Sequence, residues 1–284
     1  MNDQNSPLSS TVLTVEIADH VATVWLDRPD KMNAFGLEAW DDLPRIMEAL
    51  STDREVRVVV IAGRGKAFTV GIDLMAFGPA LMAGGVDPAT APTSEVAKRM
   101  ATYEAIKRMQ HTFSSIADCR KPVIAAVHGY CLGAGIDLIT ACDIRLATAD
   151  AVLSVRETKI AMVADVGTMQ RLPKIVDPGR VAELVYTGAD FSGQEAHEMG
   201  LLNHVYPDRE TLLEAADTMA RQIAANSPLA VQGAKAVLRA GEGRSIEESL
   251  DYMAVWNSAF LHSNDLMEAV AAFLEKREPK FSGD

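Results

Sequence analysis

The run VRVVVIAG at residues 56–63 constrains the fold more than any other stretch. It is almost unbroken in β-branched side chains, the composition of a strand covered on both faces. A second unit, KPVIAAVHGYCLGAGIDLITACDIRLAT at 121–148, reads as strand, glycine-rich turn, helix, strand. Upstream, TVLTVEI (11–17) and VATVWLD (21–27) alternate on either side of Ala18, Asp19 and His20, which predicts a β-hairpin. Arg28-Pro29-Asp30 ends it, because proline cannot continue a ladder. The spacing of Leu37, Trp40, Leu43, Met47 and Leu50 predicts a helix over 36–50, and a long amphipathic helix is expected over about 95–117. Between them, GPALMAGGVDPATAPTS (78–94) reads as a mobile loop or lid. From Asp208 to Lys276 the pattern becomes helical, punctuated by Ser227-Pro228, Gly241 and Gly243. The expected organisation is therefore a mixed α/β core over 1–205 and an all-helical region over 206–284.

With 284 residues, 48% of them hydrophobic, the chain can bury a sizeable core. The formal charge of −12 argues against nucleic acid or an anionic membrane as a partner, since both require a surplus of Lys and Arg. A small anionic ligand needs only a local basic patch. Cys119, Cys131 and Cys142 form no Cys-x-x-Cys pair, so neither a disulfide framework nor a metal site is expected. The N-terminal MNDQNSPLSS is polar, no apolar run approaches about 18 residues, and KFSGD carries no peroxisomal tripeptide. These features together lead to the expectation of a cytoplasmic protein.

In HGYCLGAGIDL, Gly129, Gly133 and Gly135 lie between a strand and a helix, where glycine lets backbone N–H groups approach a ligand. The spacing is not the dinucleotide fingerprint. VRVVVIAGRGKAFTVGIDL (56–74) repeats the logic, and two such units can aim two N–H donors at one point as an oxyanion hole. Three acids stand near these turns. Asp137, taken alone, reads as a carboxylate complementing a helix dipole. Glu157 reads as a strand end. Asp165, in the apolar run VADVGTMQRLP, reads either as a helix N-cap before Gly167-Thr168 or as a functional acid. His128 and Cys131 lack an evident catalytic partner and read as packing residues.

These segments resemble the crotonase family, the enoyl-CoA hydratases and isomerases. The resemblance rests on the 121–148 segment, on VGTMQRLPKIV and EAHEMGLLNHVYP, on AFTVGIDLM and LDRPDKMNAFG, and on AAFLEKREPKF near the C-terminus. It covers roughly 11–281. It implies a ClpP-like spiral of β-β-α units with a helical C-terminal region that drives trimers, which in this family often pair into hexamers. It implies an acyl-CoA thioester as substrate, with CoA part of the substrate and no further cofactor. The thioester carbonyl would sit between the backbone N–H groups of Ile72 and Ala134. Arg28, Lys31, Ala67, Gly71, Asp73 and Gly133 would serve substrate and CoA, with Arg64 and Lys66 as further cations. Phe273 and Lys276 would reach a neighbouring subunit's CoA.

The acids set the subfamily. Hydratases carry two glutamates at the positions of Asp137 and Glu157, and a glycine-rich segment where this chain has Asp165. The order Asp, Glu, Asp is similar to that of the Δ3,5-Δ2,4-dienoyl-CoA isomerases, as is SLDYMAVWN (249–257). The resemblance thus implies that Glu157 and Asp165 move protons at C2 and C6 of a conjugated chain, with Asp137 tuning the site. Three alternatives stand beside it: a 2-enoyl-CoA hydratase of β-oxidation, a thioester hydrolase, and a noncatalytic CoA- or RNA-binding relative.

Overall fold

The computed structural model describes residues 6–82 and 94–284. The hairpin is present as β1 (Leu13–Ala18) and β2 (Val21–Leu26), paired antiparallel with Ala18 opposite Val21. Its turn residues, Asp19 and His20, both have positive φ, 47° and 66°. That is the tight-turn geometry whose twist matches the flanking strands. The remaining strands are β3 (Val58–Gly63), β4 (Val123–Val127), β5 (Tyr130–Leu132), β6 (Ile144–Thr148), β7 (Val152–Ser154), β8 (Phe191–Ser192) and β9 (His204–Tyr206). One sheet has the order β1-β2-β3-β4-β6-β9 and is parallel from β2 onward; the other is β5-β7-β8.

The helices are α1 (Leu37–Thr52), α2 (Leu74–Met82), α3 (Glu95–Asp118), α4 (Ala134–Ala141), α5 (Thr168–Arg171), α6 (Pro178–Thr187), α7 (Gly193–Glu198), α8 (Arg209–Ala224), α9 (Pro228–Ala240), α10 (Ile246–Phe260) and α11 (Asn264–Glu275). The strand period of two explains the layers. Val59, Ile61, Ala125 and Val127 face the core that holds Leu43, Met47, Phe113 and Ile136 from α1, α3 and α4. Val58, Val60, Ala62, Ile124, Ala126 and Leu146 face the opposite way, onto Leu212, Ala216, Ala220 and Ala224 of α8. Both faces of β3 are thus covered, which is why its sequence does not alternate.

Two expectations change. Residues 78–82 continue α2 rather than opening a loop, Ser94 is the N-cap position of α3, and 83–93 of the anticipated lid lie outside the described residues. The 205/206 boundary falls inside β9, and α8 packs on the large sheet. Helix α10 packs on α9 and buries none of its residues in this chain.

Candidate active site

The site is built where two strand-to-glycine turns are stitched side by side. Thr69 pairs with Cys131 and Phe35 with Ile72 in single parallel bridges. The Thr69 N–H donates to Tyr130 O (2.9 Å) and the Leu132 N–H to Thr69 O (3.1 Å). Gly71 has φ +86°, and a Cβ there would lie 2.8 Å from Leu132 O and 3.4 Å from Ala134 N. Glycine is therefore required at 71 for both backbone angle and approach. Beyond this seam, Ile72 and Ala134 carry N–H groups that meet no protein acceptor among the described residues. Ala134 opens α4, where the first-turn N–H groups have no intrahelical partner.

These donors open on a cavity of about 690 Å³. Asp137, Glu157 and Asp165 all line it, together with Gly71, Ile72, Gly133 and Ala134. Its remaining wall is mostly apolar, including Trp40, Ile106, Met109 and Met162. Trp40 is fixed edge-on to Phe113, with ring centroids 5.4 Å apart, and its carbonyl accepts from Thr112 Oγ1 at 2.8 Å. This pins α1 to α3 beside the apolar wall of the cavity.

Asp137 is completely buried. Its Oδ1 accepts the Thr168 N–H at 2.5 Å, while Oδ2 has no partner. Burial pushes its pKa up to about 6; the Thr168 hydrogen bond opposes the rise, the charge of Asp165 adds to it, and Arg171 opposes it. Glu157 is pushed up to about 7, first by burial, then by the charges of Asp137 and Asp165. Its Oε2 is also buried without a partner, and its Oε1 lies 3.3 Å from where a Gly133 Cβ would sit. Burial raises Asp165 as well. A protein rarely leaves buried carboxylate oxygens unpaired, and the exceptions concentrate where chemistry is done.

The N-cap reading of Asp165 does not hold: α5 begins after Gly167 with no side-chain cap. The acceptor at that helix start is Asp137, reaching across from α4. Asp137 does sit in the first turn of α4, as a dipole-complementing acid would, but its hydrogen bond is to a different helix. Asp165 is left free to face the cavity.

The other expected residues lie outside the cavity lining. Arg28 is engaged with Ala34 O (2.9 Å) and Asp73 (3.3 Å). Asp73 also accepts the Ala76 N–H at the start of α2 (3.2 Å). Ala67 is buried, its carbonyl held by Asn33 Nδ2 at 2.8 Å. Lys31 is exposed, Phe273 is 82% exposed on α11, and Lys276 closes that helix in the left-handed conformation. His128 is buried against Gly65 O (3.0 Å), in keeping with a packing role. Sequence reasoning missed Arg156, which lines the cavity and pairs with Asp190 at 2.5 Å, and missed Thr168, which acts through its backbone. It also missed Gln110, whose side chain reaches Asp165 O. Among the described residues no group of three or more His, Cys, Asp or Glu is arranged to hold a metal, and no helix is long and apolar enough to cross a membrane.

Two N–H donors and three carboxylates line one apolar cavity, and the chain belongs to the enoyl-CoA hydratase/isomerase family, whose profile matches residues 16–284. It is 42% identical over 264 residues to the mitochondrial Delta(3,5)-Delta(2,4)-dienoyl-CoA isomerase of Rattus norvegicus, covering 92% of this chain and 78% of that one. It is 43% identical over 257 residues to the peroxisomal isomerase of the same name from Arabidopsis thaliana, covering 90% and 91%. An enoyl-CoA hydratase structure from Bacillus anthracis superposes with a TM-score of 0.86 at 32% identity, covering 96% of this chain and all of that one. The crotonase fold and the resemblance to dienoyl-CoA isomerases are borne out. The cytoplasmic expectation is overturned, because these relatives, and that of Dictyostelium discoideum, are mitochondrial or peroxisomal. A polar N-terminus and the lack of an apolar span do not distinguish one aqueous compartment from another.

Proposed function

We propose that the chain is a Δ3,5-Δ2,4-dienoyl-CoA isomerase. The observation that carries this reading is the third carboxylate: Asp165 faces the same apolar cavity as Asp137 and Glu157 instead of capping α5. The thioester oxygen accepts from the Ile72 and Ala134 N–H groups. Glu157, ionised, takes a proton from C2. The C2–H electron pair becomes the C2=C3 bond, the C3=C4 pair moves to C4=C5, and the C5=C6 pair takes a proton at C6 from Asp165. Negative charge passes transiently through the thioester oxygen, where two fixed donors stabilise it; removing one such donor typically costs about 10²–10³ in rate. Exchange with solvent returns Glu157 and Asp165 to their starting states. Asp137, close to both, holds the segment that carries Asp165 and biases their charge.

CoA enters as part of the substrate, and no resident cofactor is required. Its phosphates meet the exposed Lys31 and Lys66, since Arg28 and Arg64 are already paired with Asp73 and with Glu16 and Asp27. We propose assembly as a homotrimer or a pair of trimers, supported by the apolar side chains that α10 and α11 leave exposed, such as Ile246 (82%) and Leu274 (74%).

The test follows the ultraviolet band of the 2,4-dienoyl thioester formed from a 3,5-dienoyl-CoA, with 2-enoyl-CoA hydration in parallel. Fast isomerisation lost in Asp165→Asn, with slow hydration, is expected. Fast hydration that survives Asp165→Asn makes the protein a hydratase instead.

A further inference from the structure

Residues 162–167, which carry Asp165, form neither helix nor strand. An irregular segment keeps its place only through the partners its backbone groups find. Here the Met162 N–H donates to Glu157 O (2.9 Å), the Gly167 carbonyl accepts from the Gln170 and Arg171 N–H groups (3.1 and 3.0 Å), and three further groups are held. The Asp165 carbonyl accepts from Gln110 Nε2 at 2.8 Å. The Val166 carbonyl accepts from Arg171 Nη1 at 3.4 Å, and the Thr168 N–H donates to Asp137. Arg171 belongs to the same local turn and Asp137 to the catalytic acids. Gln110 is the residue of α3 that bonds the segment itself, while Ser114 of α3 accepts from Arg171 Nη2 at 3.1 Å; the same helix supplies Ala105, Ile106 and Met109 to the cavity. The Gln110 amide is oriented, because its Oε1 accepts Lys107 Nζ at 2.9 Å and leaves Nε2 to face Asp165.

We infer that Gln110 is a positioning residue: it fixes the backbone of Asp165 to α3, so that the carboxylate that serves C6 is registered against the helix that holds the acyl chain. Gln110 touches no reacting atom, and its effect passes through Asp165. The inference rests on the proposed assignment of Asp165 to C6.

It predicts a split between two steps of one turnover. Gln110→Leu keeps the bulk and removes the donor. It is expected to lower kcat for isomerisation by on the order of 10²-fold, the loss typical of an ångström-scale misplacement, with KM within about twofold. Exchange of the C2 proton with solvent, read as deuterium washout from 2-deuterated 3,5-dienoyl-CoA, depends on Glu157 and should persist near the wild-type rate. Adding Gln110→Leu to Asp165→Asn should slow isomerisation no further. Gln110→Lys, which restores a donor, should recover part of the loss and serves as a second variant should Gln110→Leu fold poorly. Equal loss of C2 exchange and isomerisation, or additive losses in the double variant, overturns the inference. If Asp165→Asn slows isomerisation and Gln110→Leu does not, the role of Gln110 fails and that of Asp165 stands. If Asp165→Asn is itself fully active, the C6 assignment fails, and the inference fails with it.

Discussion

Glu157 gains and loses its proton near pH 7 in the folded protein, and Asp137 near pH 6, whereas the same side chains in an unfolded chain titrate near 4.5 and 3.8. Between those values the native state holds protons that the unfolded chain has released, so the unfolding free energy falls as pH rises through the window. The penalty is absent below about pH 4 and complete above about pH 7. Glu157→Gln removes its share. It should stabilise the protein by on the order of 2 kcal/mol at pH 8, and by almost nothing at pH 4.5, as read from urea unfolding at the two pH values. Equal stabilisation at both would mean that Glu157 titrates normally. A site that destabilises its own fold at working pH is the expected signature of groups kept for chemistry rather than packing.

At the scale of elements, the hydrogen bond from Thr168 N–H to Asp137 ties α5 to α4. Asp137→Asn and Asp137→Ala both remove the charge, but only the first keeps an acceptor. Asp137→Ala should therefore be less stable by about 1–3 kcal/mol, the cost of a buried N–H left unpaired, which thermal or urea unfolding of the two variants compares directly. Across the other joint, Gly71→Ala would place a methyl 2.8 Å from Leu132 O at φ +86°. It should cost about 1–3 kcal/mol in strain and about 10²-fold or more in rate, because it separates the two N–H donors. Steady-state kinetics and a melting curve measure both. These joints mark where sequence reading stops. Period and composition located β3, β4 and α4 because burial on two faces leaves a pattern in the chain itself. The glycines at 71 and 133 were legible because few other residues tolerate such turns. Asp165 was ambiguous, since an acid before Gly-Thr has a local use as a cap, and only the carboxylate arriving from α4 shows that use to be taken. Gln110 and the Thr168 N–H left no trace, because their partners lie 55 and 31 residues away.

For the whole molecule, α10 and α11 leave Ile246, Leu250, Val255, Met267 and Leu274 at least half exposed. Sedimentation at micromolar concentration should show an assembly of three or six chains, and Leu250→Glu with Leu274→Glu should shift it toward the monomer without changing the secondary structure seen by circular dichroism. A sharp monomer boundary for the native protein would refute this. The other apolar surface of note is internal, and it has a history in time. The face of the large sheet formed by Val58, Val60, Ala62, Ile124, Ala126 and Leu146 is closed by α8, which ends only at Ala224. A ribosome adding about 5–20 residues per second needs roughly 8–30 s to travel from Gly63 to Ala224. During that interval a growing β-surface emerges with nothing of its own chain to cover it. The nascent protein is thus most prone to associate just before α8 leaves the exit tunnel, and that moment sets when it most needs a chaperone.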